Sequence, residues 1–95
     1  MRVNLIYYKN REVSMHIGNI IHKVMEQQGH TVTWLAHEYG CSRVNIYKIF
    51  DKQSVDTQSL LRLSVILDYD FFALYQQELH DRLESKETTP VTSQT

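Results

Sequence analysis

The stretch WLAHEYGCSRVNIYKIF, Trp34 to Phe50, puts a single glycine between two runs of apolar residues at helical spacing. Trp34, Leu35, Ala36 and Tyr39 make the face of one short helix, and Ile46, Ile49 and Phe50 make the inner face of another. Glycine reaches positive φ without a Cβ penalty, so Gly40 lets the chain leave the first helix in a tight turn. Ser42 then offers a hydroxyl to the free amides of the next helix. A core gains little from so short a first helix. The arrangement suits a second helix that must be presented to a partner at a fixed angle.

The same period organises most of the chain. Ile17, Ile20, Ile21, Val24 and Met25 form one apolar stripe, ended by Gly29. Thr31 is the expected cap of the short helix that follows. After the break DKQSV, Asp56 is the expected cap of a helix with Leu60, Leu63, Ile66 and Leu67 inward. Asp70 is expected to cap a fifth helix, which closes the core through Phe71, Phe72, Leu74, Tyr75, Leu79 and Leu83. With 95 residues, one proline and three glycines, the chain makes at most one domain. The expected class is all-α, five helices within residues 15–84. Residues 1–14 read as an N-terminal extension, because VNLIYY has no partner strand in the sequence, and residues 85–95 read as a flexible polar tail.

Composition excludes several functions. One cysteine forbids a disulfide within the chain and suits a reducing compartment, the cytoplasm. The apolar run from Val3 to Tyr8 is too short to span a membrane, and KNRE follows it rather than a cleavage site. No phosphate loop, nucleophile elbow or paired carboxylates stand out, so no enzyme and no cofactor are expected. The five histidines form no pair four apart and Cys41 falls at an inward turn position, so no metal site is expected. The net charge is −1, but eight Lys/Arg stand against five Asp/Glu in residues 1–67, and two against six in residues 68–95. A basic body with an acidic end is compatible with a polyanion on one face.

The sequence TVTWLAHEYGCSRVNIYKIF has the features of a helix-turn-helix: a small residue, Ala36, where two helices cross, Gly40 in the turn, and Cys41, Ile46 and Ile49 inward. It resembles the helix-turn-helix of the phage-repressor-like (Cro/C1, or XRE) family of transcription regulators, over roughly residues 15–80. SVDTQSLLRLSVILDYDFFAL is similar to that family's fourth and fifth helices. The resemblance implies a five-helix, λ-repressor-like DNA-binding domain with its third helix in the major groove. Two positions depart from the family's pattern. Val32 stands where a phosphate-gripping Gln is common, and FDK stands where Glu and Gly often follow the third helix.

Candidate DNA-contacting residues follow from position and chemistry. Arg43 and Lys48 suit guanine edges or phosphates, and Val44 suits a thymine methyl. Asn45 suits a phosphate or an adenine edge, or else shares in capping, and Tyr47 suits the backbone. Lys52 is placed for a phosphate. Ser42, Thr31 and Thr33 offer hydroxyls and free amides at helix starts, although capping alone explains them equally well. Trp34 is expected to be partly buried rather than a stacking platform. The expected partner is double-stranded DNA, bound by a homodimer. The competing reading is a protein-interaction module, antitoxin-like or an adaptor, which keeps the fold and binds a protein.

Overall fold

The computed structural model describes residues 15–87, and within them the chain is all-helical. The helices are α1 (Ile17–Gln27), α2 (Val32–Tyr39), α3 (Arg43–Phe50), α4 (Thr57–Leu67) and α5 (Phe72–Glu87). The extension expected at residues 1–14 lies outside the described residues, as does most of the expected tail. Residues 85–87 belong to α5, so the helix runs three residues past the boundary expected from composition.

Side chains and glycines set the helix ends. The Thr31, Ser42 and Asp56 side chains accept hydrogen bonds from the backbone amides of Trp34, Asn45 and Ser59, three residues on in each case. Asp70 does the same for Ala73. At the start of α1 the acceptor is an imidazole, Nδ1 of His16, 3.1 Å from the Asn19 amide. Gly29 and Gly40 both adopt positive φ, at 81° and 86°. Asp68, with φ 50°, closes α4 in the left-handed region without being glycine.

The core is Ile17, Ile21, Val24 and Met25 from α1, Leu35 and Ala36 from α2, Ile46 and Phe50 from α3, Leu60, Leu63 and Leu67 from α4, and Phe71. Each large aliphatic side chain so buried contributes about 1.5–3 kcal/mol. Ile49 and Ile66, expected to face inward, are only half-buried at its edge. Backbone contacts complement the packing. The amides of Ile17 and Gly18 donate to the carbonyls of Gln53 and Lys52, both at 2.9 Å, so the start of α1 is seated on the end of α3. At the other end of α1, Gln28 Nε2 donates to the Leu67 carbonyl at 2.7 Å, tying it to the end of α4. Gly18 makes the first junction possible: a Cβ there would lie 2.3 Å from the Phe50 carbonyl oxygen and 2.4 Å from that of Ile49.

The fifth helix departs from expectation. Phe71, just before it, is fully buried, and Leu74 and Tyr75 are packed against the core. Burial pushes the Tyr75 phenol above its ordinary pKa. The other apolar residues of α5 face solvent: Phe72 is 36%, Leu79 55% and Leu83 48% exposed. These three do not close the core as expected, because α1 to α4 and Phe71 already fill it.

Gly18→Ala should therefore destabilise the protein by about 2 kcal/mol or more, since backbone carbonyls cannot move aside as a flexible side chain would. Gly29→Ala meets open space and bears only the cost of positive φ, about 1 kcal/mol. Urea unfolding of the two variants measures the gap, and equal losses would count against the α1–α3 junction. A second expectation concerns acid. Hydrogen bonds from the Ser59 hydroxyl and then the Ser59 amide hold the Asp56 carboxyl below its ordinary pKa of 3.8. The folded state thus binds that proton less readily than the unfolded chain. Its stabilisation is complete above the ordinary value and lost as pH falls through the depressed one. Asp56→Asn keeps a capping oxygen but does not titrate, so thermal melts should show a shallower acid decline in that variant, with little change at neutral pH.

Candidate nucleic-acid interface

The α2–α3 pair is joined by Gly40, Cys41 and Ser42 alone. The amides of Gly40 and Cys41 both donate to the Ala36 carbonyl, at 2.9 and 3.0 Å, which winds the end of α2 into a left-handed exit. Ala36 is 5% exposed, small enough to let the helices approach there. Arg62 of α4 holds the turn from outside. Its guanidinium lies 4.0 Å from the centroid of the Tyr39 ring and donates to the Tyr39 carbonyl. Cys41 is half-buried, and its thiol donates to the Ser42 carbonyl at 3.4 Å.

This frame fixes which side of α3 faces out. Ile46 is fully buried and Phe50 5% exposed, while Val44 is 62% and Tyr47 50% exposed. Phe50 is held by two rings: His22 stacks on it at 4.2 Å, and Tyr47 meets it edge-on at 6.1 Å. Arg43, Asn45 and Lys48 are exposed on the same helix, and Lys52 just beyond its end. Residues three and four apart share a helix face, so Arg43, Val44, Tyr47 and Lys48 form one outward patch. Asn45, Lys48 and Lys52 instead line a cleft of about 240 Å³ between α3 and the start of α4, with Ile49 and Val55 at its apolar side.

Among the described residues no carboxylate pairs with Arg43, Lys48 or Lys52. Elsewhere Arg82 pairs with Glu78 at 2.9 Å and Arg62 is spent on Tyr39, whereas Lys23 on α1 is exposed without a carboxylate partner among the described residues. An exposed, unpaired cation is the form in which Lys and Arg are available to an anion. Patch and cleft side chains therefore make a row of three free positive charges, interrupted by Asp51 and bounded by Asp56, whose carboxylate is occupied by Ser59.

The threonines stand apart. Thr31 and Thr33 are exposed at the start of α2, a helix of eight residues, so about 12 Å of helix separates them from the turn. Thr31 Oγ1 and Ser42 Oγ both spend an acceptor lone pair on capping, and both hydroxyls retain a hydrogen to donate. Trp34 is partly buried as expected, with its ring stacked on His30 at 3.6 Å. That stack covers one face of the indole. No cluster of three His, Cys, Asp or Glu that could hold a metal exists among the described residues, and no helix there is long and apolar enough to cross a membrane.

Gly18, His22 and Arg62 position this interface without being evident as positioning residues in the sequence. Gly18 carries one signal, a glycine inside an otherwise apolar helical stripe. Arg62 carries none, because its partner lies 23 residues away. The chain matches no family model, no curated protein and no solved structure.

Proposed function

We propose that the protein is a sequence-specific DNA-binding transcription regulator with a λ-repressor-like helix-turn-helix formed by α2 and α3, and that α3 enters the major groove. The observation that carries the reading is the division of α3. One side is locked into the core by Ile46 and Phe50, and the other offers Arg43, Val44, Tyr47 and Lys48 to solvent with their cations unpaired. A rigid helix with donors, a methyl-contacting side chain and an aromatic on one face has the chemistry that base edges and phosphates require. The resemblance to the Cro/C1 family supports the same reading. Arg43 reads a base edge near the start of α3, and Lys52 and the capping hydroxyls of Ser42 and Thr31 hold phosphates. One short helix gives limited affinity, so the protein acts as a homodimer on half-sites about 34 Å apart.

A second reading rests on Val44 and Tyr47. Two exposed apolar side chains on a presented helix, in a chain of net charge −1, also suit a protein partner. Electrophoretic shift against pooled random DNA across a salt series separates the two. Binding that weakens steeply with salt supports DNA, and no shift at low salt favours the protein partner.

Arg43→Ala should weaken binding to a selected site by about 1–3 kcal/mol and leave random DNA nearly unaffected. Equal losses on both would make Arg43 a phosphate contact. Lys52→Ala should weaken both DNAs alike and reduce the slope of log K against log salt by about one unit. An unchanged slope would remove Lys52 from the interface.

A further inference from the structure

The cleft between α3 and the start of α4 brings cations, an unengaged amide and apolar walls into one concave place. Lys48, in the last turn of α3, and Lys52, just past its end, both line it, and neither has a carboxylate partner among the described residues. Asn45 lines it too. Its backbone amide meets Ser42, and its side-chain amide has no hydrogen-bond partner among the described residues. The apolar lining is Ile49 and Val55, both packed on the core yet only half-buried. Ile49 has the spacing of a core residue without the burial of one, and the cleft is where the rest of its surface goes. Asp56 is the one carboxylate in the lining, and the Ser59 hydroxyl and amide occupy it at 2.7 and 3.1 Å. Two lysines against one carboxylate leave the lining with a single net positive charge.

We propose that this cleft is a binding site for a small organic monoanion, a carboxylate on an apolar body of roughly ten non-hydrogen atoms in all, and that its occupancy weakens DNA binding; the second half rests on the function argued above. Size sets the first limit. The cleft holds about 240 Å³, below the roughly 300 Å³ at which drug-sized ligands begin. Chemistry sets the second. A carboxylate accepts from the two ammonium groups and from the Asn45 amide, while its apolar body covers Ile49 and Val55 and removes them from water. An inorganic anion would leave those walls wet. A neutral apolar molecule would gain nothing from the lysines, and a dianion would meet Asp56 with its second charge. The coupling to DNA follows from shared residues. Lys48 belongs to the outward patch as well as to the cleft, and Lys52 is the proposed phosphate contact, so a carboxylate bound between them neutralises charge that DNA would use.

Benzoate has this chemistry; benzamide keeps the ring without the charge, and acetate keeps the charge without the ring. The full chain is titrated with each at constant ionic strength and followed by NMR of its backbone amides. Benzoate should shift the amides of Asn45, Ile49 and Val55 saturably with a Kd of about 1 mM, and the other two should bind at least about tenfold more weakly. Lys48→Gln with Lys52→Gln should abolish the saturable response; both residues are exposed, and the same spectra report whether the variant is folded. Lys23→Gln removes an exposed cation outside the cleft and should leave the Kd unchanged. In the electrophoretic assay, saturating benzoate should weaken DNA binding about tenfold and lower the salt slope by about one unit, and acetate at the same concentration should do neither. No saturable shift up to about 20 mM, acetate or benzamide binding as tightly as benzoate, a double variant that still saturates, or a loss caused by Lys23→Gln would each overturn the site. Benzoate that fills the cleft without weakening DNA binding would overturn the coupling. Benzoate that fills the cleft of a chain that ignores DNA would leave the site standing and sink the DNA reading instead.

Discussion

The junction between the start of α1 and the end of α3 governs the rest of the molecule. Two amides, those of Ile17 and Gly18, meet the carbonyls of Gln53 and Lys52, and the absence of a side chain at Gly18 lets the backbones touch. Packing alone fixes a helix loosely, because apolar contacts tolerate small slides. Two short backbone hydrogen bonds do not. They set the height of α3 relative to α1, and the buried Ile46 and Phe50 then set its rotation. The Arg62 clamp on Tyr39 fixes the turn that leads into it. Each side chain on the outer face of α3 owes its position to these three restraints.

Local rules make much of this legible in the sequence. Thr31, Ser42, Asp56 and Asp70 act as caps, and Gly29 and Gly40 take positive φ, because such roles depend on a few neighbouring residues. The helical stripes likewise follow from period alone. Contacts between distant positions are not legible: Gln28 reaches a carbonyl 39 residues on, and nothing in either neighbourhood announces it. His16 escapes notice for another reason. Imidazole is an uncommon capping acceptor, so in the sequence the residue reads as the plain start of a stripe.

Leu79 and Leu83 show the limit of periodicity. Their spacing correctly puts them on one face of a helix with Phe72, but spacing does not say what lies against that face. A core has finite volume, and here α1 to α4 and Phe71 fill it before α5 is halfway along. The candidate interface is legible in the same partial way. Pattern separates the inner from the outer residues of α3, whereas the cleft shared by Asn45, Lys48 and Lys52 depends on how α4 approaches, which pattern does not contain.

Seating α1 on α3 also has an electrostatic consequence. The last carbonyls of any helix sum to about half a negative charge, and an anion near that end is repelled. In this protein the chain that leaves α3 meets the opposite pole of α1, whose first amides carry about half a positive charge. The two poles oppose one another at this junction, which lessens the repulsion an anion would meet there. Lys52, whose carbonyl takes the Gly18 amide, is exposed at the same place.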